Sequence, residues 1–415
     1  MLRAAVDIGA TIVSFSVWDG PRRIAAGDIR NPQRDIGADM ASRLDALREG
    51  RGAEMRAMLA EALLRRVSHS VHAARRRVSD IDMWCFAGSV PMLAALADRS
   101  PFPKPGSGAA EPPWSGILRM RAEDVLLRGS YFCEAVALPP LAASAGADTA
   151  AAVMAAEFKH VSPPFILLDA GTNAEVAYRS PDGAVYVAGV PAGAAFEAAG
   201  ISCGVSPFRG AIDRAERGPS GALRCHVAGD PPHVWSIPGG GWTNNANKAR
   251  GVCASGLVDV IAESLANGML LPDGSLSGFA KSIPLRDGLS LTPDDVKLFM
   301  DSKAAVCAAV ETVLHEAGVS PEEAAKMPFL VAGSSRFGIS PAHAAATGMW
   351  PAHLQVQPAG NAALAGAEAF VRTPQNCDLR LREIAEKTRP VDVESSPFWK
   401  SLLPSRRLLA EVRET

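Results

Sequence analysis

Two short stretches of the chain place an aspartate, a glycine and a threonine in the same order: Asp7-Ile8-Gly9-Ala10-Thr11 and Asp169-Ala170-Gly171-Thr172-Asn173. A turn of this kind can bring backbone N–H groups and a hydroxyl close to phosphate oxygens, because glycine lets the chain approach without a side chain in the way. The carboxylate at its head can hold a magnesium ion through water, or orient an attacking water. Asp7 and Asp169 are therefore the candidate catalytic and metal-holding residues, and Gly9, Ala10, Thr11, Gly171, Thr172 and Asn173 the candidate phosphate contacts. A single such turn occurs in many hairpins. Two copies in equivalent surroundings are more specific.

The surroundings are equivalent. Arg3 to Asp7 is a short apolar run that enters the first turn, and alternating Ile12 to Val17 leaves it for the turn signal Asp19-Gly20. Phe165-Ile166-Leu167-Leu168 enters the second turn, and Ala174 to Tyr178 leads to Pro181-Asp182-Gly183. Each copy reads as strand, acidic-glycine turn, strand, hairpin. The repetition predicts a duplicated α/β architecture with a lobe boundary near residue 160, where Ser162-Pro163-Pro164 breaks a helix. Leu44 to Arg77 has helical spacing, and its arginines (Arg65, Arg66, Arg75, Arg76, Arg77) read as solvated helix faces, with anion binding as the alternative. Residues 101–116, rich in Pro, Gly and Ser, read as an inserted loop. Ser255 to Asn267 is an amphipathic helix, and Thr292-Pro293-Asp294-Asp295 starts a longer one that runs to Gly318. From Val371 onward the chain is charged and reads as helical pieces packed on the body.

With 415 residues, 48% apolar residues and a net charge of -2, the chain reads as a globular protein of two or three domains and not as a nucleic-acid binder. No apolar stretch reaches the roughly 18 residues of a membrane span, and the N-terminus does not read as a signal peptide, so a cytoplasmic address is expected. The seven cysteines (Cys85, Cys133, Cys203, Cys225, Cys253, Cys307, Cys377) are scattered, and no iron–sulfur cluster is expected from their spacing. Cys225, His226 and His233 form the one metal-like grouping, and two of them are adjacent, which disfavours chelation of one ion.

Two facing acidic-glycine turns resemble the phosphate clamp of the actin-like ATPase superfamily, a duplicated ribonuclease H-like α/β fold with two lobes around a nucleotide cleft. Val331-Ala332-Gly333-Ser334-Ser335-Arg336-Phe337-Gly338 is similar to its adenosine loop, and Pro358-Ala359-Gly360-Asn361 through Ala367 to its last glycine-bearing helix. Gly333, Ser334, Gly360 and Asn361 are thereby implied as nucleotide contacts. Nearly the whole chain further resembles the C-terminal part of the reductive activators of corrinoid proteins. The segments that carry this are Asn31-Pro32-Gln33 with Ser42-Arg43, Pro91-Met92-Leu93, Leu138-Pro139-Pro140 with Gly146-Ala147-Asp148, Ile201-Ser202-Cys203-Gly204, Gly251 to Asp259, and Ser395-Ser396-Pro397-Phe398-Trp399. The implied lobes are residues 1–160 and 161–372, with 373–415 as a tail packed on them.

The resemblance implies use of ATP and magnesium to restore a corrinoid methyl-carrier protein from Co(II) to Co(I). Members of the family usually begin with a [2Fe–2S] ferredoxin domain. Here Asp7 stands six residues from the start, so the electron is expected from a separate ferredoxin or flavoprotein. No nucleic-acid or membrane partner is expected, and a homodimer stays open. Ala10 stands where a threonine is usual, Ala174 replaces a glycine, and Ser334-Ser335-Arg336 interrupts the adenosine-loop glycines, each change removing a contact or a close approach. ATP hydrolysis thus stays open beside two alternatives: a degenerate docking or regulatory protein for a corrinoid protein, and a small-molecule kinase of the same superfamily.

Overall fold

The computed structural model describes residues 1–37, 40–103, 111–126, 133–171, 173–192, 200–218, 222–231, 234–235, 247–333 and 338–409. The first apolar run is strand β1 (Leu2–Ile8), paired antiparallel with β2 (Ile12–Asp19), which pairs with β3 (Arg22–Arg30). Nearly every side chain of β1 is buried, which suits a central strand covered on both faces. Helices α1 (Met40–Arg48) and α2 (Gly52–Ala73) lead to β4 (Ile81–Gly88), which runs parallel to β1 on its other side. Then follow α3 (Val90–Ala97), β5 (Leu118–Arg121), α4 (Ala122–Leu126), β6 (Glu134–Ala137) and α5 (Ala147–Phe158). The sheet order is β3-β2-β1-β4-β6-β5.

The path is then walked again. Strands β7 (Phe165–Ala170), β8 (Asn173–Arg179) and β9 (Val185–Pro191) form a second antiparallel meander. A long excursion holds β10 (Ala211–Arg217), β11 (Leu223–Val227), β12 (Gly251–Val252), α6 (Ala254–Ala266), β13 (Ile283–Pro284), β14 (Ser290–Leu291), α7 (Pro293–Glu316) and α8 (Pro321–Ala324). The chain returns as β15 (Pro328–Ala332), parallel to β7, and passes through α9 (Pro341–Ala346) to β16 (Gln355–Gly360), parallel to β15. Helix α10 (Ala362–Arg372) follows, then α11 (Pro374–Glu386), β17 (Thr388–Pro390) and α12 (Pro397–Arg407). The second order is β16-β15-β7-β8-β9-β17. Hence β1-β2-β3-β4-β6-α5 and β7-β8-β9-β15-β16-α10 are equivalent, as the repeated strand-turn-strand pattern predicts.

The two equivalent helices, α5 and α10, pack on each other between the sheets. Phe165, Leu167, Val185, Val187 and Leu330, on one face of the second sheet, join the core that also holds the first sheet, α5 and α10. Ile166, Leu168 and Val176, on the other face, pack with residues of α6 and α7. Helix α5 is alanine-rich where it meets α10, and Gly366 of α10 lies against its backbone: a Cβ there would stand 2.1 Å from the Ala151 carbonyl oxygen. Glu157 at the end of α5 accepts hydrogen bonds from Arg179 of β8 at 2.9 Å and from Arg380 of α11 at 2.5 Å, pinning the central layer to the second sheet. The expected helix starts are present. Thr292 caps α7 with Asp295 in a reciprocal box, the Thr292 N–H donating to Asp295 at 2.8 Å.

Helix α12 is held to α7 by Arg406 on Glu311 at 2.8 and 2.9 Å and by Arg407 on Asp301 at 2.7 Å. Between them Lys303, buried to 1% exposure, donates to the Leu408 carbonyl. Burial lowers the pKa of its ammonium from 10.5 to about 8.

Two expected outcomes follow from this packing. Ala at a helix-interior glycine ordinarily gains about 1 kcal/mol of propensity, but at Gly366 the new Cβ meets backbone, so Gly366→Ala is expected to destabilise by about 1–3 kcal/mol, read by urea unfolding. For Lys303 the folded pKa lies below the unfolded one, so between about pH 8 and 10.5 the unfolded chain binds more protons. The destabilisation is fully present below that window and fades as pH rises through it. Lys303→Met is expected to raise stability at pH 7 by about 1–2 kcal/mol and to flatten the rise in melting temperature between pH 8 and 10.

Candidate functional site

The first acidic-glycine turn joins β1 to β2, and its backbone is tied back on its outer side. Asn31 donates its side-chain amide to the Gly9 carbonyl at 2.8 Å and its backbone N–H to the Thr11 carbonyl at 2.8 Å. Arg43, wholly buried, donates to the Ala10 carbonyl and to the Gly37 carbonyl. In a trans peptide the N–H points opposite to the C=O of the preceding residue. With the carbonyls held outward, the Ala10 and Thr11 amides face the other way. The Thr11 hydroxyl accepts from Arg34 at 2.6 Å.

The second turn joins β7 to β8. Its backbone closes on itself through the Gly171 N–H and the Asn173 carbonyl at 3.1 Å, and a Cβ at Gly171 would stand 3.2 Å from that same oxygen. Asp169 and Glu175 are direct cross-strand neighbours. The two turns meet: Asp7, Gly9, Ala10, Asp148, Asp169, Gly171, Asn173 and Glu175 all line one small cavity of about 50 Å³, with Met40 and Ser89. None of the described residues lining it is a lysine, arginine or histidine.

Burial beside other carboxylates raises the cost of ionising an acid. Asp7, 4% exposed, has its pKa pushed up to about 8 by burial and by the charges of Asp169 and Asp148, against a 2.9 Å hydrogen bond donated by the Asn361 side chain. Asp148, in the first turn of α5, is lifted by burial to about 6 although it accepts the Thr149 N–H at 2.8 Å. Gly146 makes room for that helix start, since a Cβ there would fall 2.7 Å from the Ser89 Cα. Among the described residues no group of three His, Cys, Asp or Glu side chains could hold a metal ion by itself. Hard oxygen donors and this looseness suit magnesium, which keeps much of its water.

Beyond the second turn the cleft becomes apolar. Gly333, Gly338, Ile339, Trp350, Val356 and Gly360 are among the residues lining an adjoining cavity of about 110 Å³, and Ala170, inside the second turn, lines it too. The Gly333 N–H donates to the Gly360 carbonyl at 3.2 Å. A Cβ at Gly333 would sit 3.4 Å from the Ala170 carbonyl oxygen and fill the gap between the two loops. Asn361 caps α10 by accepting the Leu364 N–H at 2.7 Å, so one side chain serves both the helix and Asp7.

Of the residues singled out in the sequence, Asp7, Gly9, Ala10, Asp169, Gly171 and Asn173 come together in the carboxylate cavity, Gly333 and Gly360 in the apolar one, and Asn361 bonds Asp7. Thr11 does not line the carboxylate cavity, because its hydroxyl is taken by Arg34. Thr172 and Ser334 lie outside the described residues, as does His233. His226 instead pairs its Nδ1 with Asp213 at 2.6 Å. Asn31, Arg34, Arg43, Ser89, Asp148 and Glu175 were not singled out as site residues. The segments Asn31-Pro32-Gln33, Ser42-Arg43 and Gly146-Ala147-Asp148 had signalled three of them.

Residues 164–411 match the family model described as the C-terminal domain of RACo, the ASKHA domain, and residues 2–161 match that of the RACo middle region. The chain is 28% identical over 203 residues to a "[Co(II) methylated amine-specific corrinoid protein] reductase" of Methanosarcina barkeri, a match covering 46% of this chain and 36% of that protein. It is 25% identical over 285 residues to the "Corrinoid activation enzyme RamQ" of Eubacterium limosum, covering 65% and 43%. The chain thus spans less than half the length of both curated relatives. A solved structure titled "Reductive activator for corrinoid,iron-sulfur protein" superposes with a TM-score of 0.81 at 21% identity, over 100% of this chain and 67% of that one, so the fold is the actin-like ASKHA fold. No helix among the described residues is long and apolar enough to cross a membrane. With both of its regions matched, the chain belongs to the RACo family, spanning the middle region and the C-terminal ASKHA domain.

Proposed function

We propose that this chain is the nucleotide-driven part of an activator of a corrinoid methyl-carrier protein. The observation that carries the reading is the convergence of both acidic-glycine turns on one cavity, continued by the glycine-lined apolar cavity, in a chain of this family. The apolar end, with Gly333 and Gly360, would take the adenosine. The amides of Ala10 and Thr11 and the turn at Gly171 would meet the phosphates, with Thr172 and Ser334 as further contacts on sequence grounds. Asp7 and Asp169 would hold magnesium through water, and that ion supplies the charge which screens both the phosphates and the four carboxylates. Asp169 and Glu175, side by side, would orient the water that attacks the terminal phosphorus as its bond to the bridging oxygen breaks. The lobes are taken as residues 1–160 and 161–372, with 373–415 packed on them.

Nucleotide gripped from both lobes favours their closed arrangement, and a partner that binds the closed form better is thereby driven to dock. Reduction of Co(II) to Co(I) then consumes one electron, taken from a reduced ferredoxin or flavoprotein. A second reading, a docking protein without turnover, is favoured by the raised pKa of Asp7 and by the engaged Thr11 hydroxyl.

Thermal unfolding with and without millimolar Mg-ATP tests the first step. A ligand at about a hundred times its Kd stabilises by about 2.7 kcal/mol, and a clear rise in Tm is expected, abolished or strongly reduced in Asp169→Asn and weakened in Asn361→Ala. An unchanged Tm in the parent chain would remove the nucleotide reading. The Co(II) to Co(I) absorbance change of a purified corrinoid protein, with chemical reductant, then separates the two functions. Acceleration that needs both ATP and this chain supports the activator. Equal rates in every arm, with docking demonstrated, leave the docking protein.

A further inference from the structure

Away from the carboxylate cavity, an open groove of about 800 Å³ runs between β3 and α2 of the first half and reaches Phe208 of the second. Ala62, Arg65, Arg66 and His69 fall at positions i, i+3, i+4 and i+7 of α2, so they form one stripe along two turns, flanking the buried stripe of Leu59, Leu63 and Val67. Arg30, at the end of β3, also lines the groove, with one guanidinium nitrogen 3.6 Å from the exposed Asp35 carboxylate. Arg65, Arg66, His69 and Arg30 are all exposed. The sole acid lining the groove, Asp28, is engaged by the Ser14 hydroxyl at 2.8 Å. Several other arginines on and beside this helix are paired, Arg51 with Glu54, Arg76 with Asp19 and Arg77 with Asp80. Arg65 and Arg66 make no ion pair among the described residues, in a chain whose net charge is -2. Two neighbouring guanidiniums without an acid beside them leave a local positive potential on this face.

Phe208 belongs to the second half. Its loop is bound to β12 through the Val205 N–H and the Val252 carbonyl at 2.9 Å, and Arg209 next to it donates to Asn247 at 3.0 Å. One wall of the groove is therefore fixed to each lobe.

We propose that this groove docks an acidic, extended segment of the protein on which the activator acts, with Phe208 taking an apolar side chain of that segment. The identification of that protein rests on the function proposed above; the groove does not. The stripe from Ala62 to His69 spans about 10 Å, is open to water and does not converge on a point, which fits several carboxylates in a row better than one small anion. Because its walls belong to different lobes, the groove changes width when the lobes move, and occupancy of the groove and of the nucleotide cleft are linked.

The test uses a fluorescein-labelled oligoglutamate peptide with one leucine, followed by anisotropy on the full chain. Binding is expected at low salt, weakening steeply as salt is added, with affinity differing between nucleotide-free and Mg-ATP-saturated protein. Arg65→Glu combined with Arg66→Glu is expected to weaken binding by about tenfold or more while leaving the Mg-ATP thermal shift unchanged. Arg65→Ala combined with Arg66→Ala controls for the reversed charges and is expected to fall between. Equal affinity in parent and variants overturns the proposal, as does stronger competition by inorganic phosphate or oligothymidylate than by unlabelled peptide. Equal affinity with and without nucleotide overturns the linkage. Loss of peptide binding in the variants, in a chain that shows no thermal shift with Mg-ATP, would keep the groove and discard the nucleotide reading.

Discussion

The contact between α5 and α10 sets the geometry of everything else. Both helices end equivalent halves of the chain, and their backbones touch where Gly366 faces the Ala151 carbonyl. Ordinary helix pairs are held 8–10 Å apart by their side chains; alanines and a glycine let these come nearer. The sheets on either side are spaced by that layer. The same contact fixes where α10 begins, and so brings the Asn361 amide to Asp7 and the Asp148 end of α5 to the cavity. Packing at the centre thus sets electrostatics at the rim.

Those electrostatics are dominated by carboxylates among the described residues. Asp7, Asp148, Asp169 and Glu175 line a space without a cationic side chain among the described residues, and Asp7 answers by keeping its proton up to about pH 8. A cation entering that space would gain from several carboxylates at once. The first turn complements this from the other side. Its carbonyls are drawn away by Asn31 and Arg43, so that what the backbone offers to the cleft is N–H groups, suited to anions. A ligand carrying negative phosphates and a divalent cation, as proposed above, would satisfy both sides.

The two acidic-glycine turns were legible in the sequence because their chemistry is local: strand, turn and strand are adjacent residues, and their repetition is a comparison of two strings. The start of α7 was legible for the same reason, since Thr292 and Asp295 cap it from within four residues. Glu175 escaped notice because it acquires its role through a cross-strand pairing with Asp169, and Asp148 because Gly146 and Ser89, remote in sequence, carry it to the cavity. Arg34 and Arg43 could not be distinguished from solvated arginines, because what distinguishes them is the hydrogen bonds they make to a loop earlier in the chain. Arg65 and Arg66 do form a solvated helix face, as their spacing implies; that Phe208 closes a groove over it is a property of the other half.

The swap of core between the halves has a further meaning for the way this chain comes off the ribosome. Phe165, Leu167 and Leu330 of the second sheet, and Ala367 and Phe370 of α10, are buried in the core that contains β1 and α5. When Phe158 has been synthesised, the first sheet is complete, yet the surface of α5 that will meet α10 is bare and stays so until Ala362 and the residues after it have emerged. An apolar alanine-rich helix face thus lacks its partner while the residues between α5 and α10 are made, a state that invites chaperones and vectorial misassembly. The nascent halves cannot mature in turn: the first to be made waits for the last, and the two lobes gain their cooperativity together.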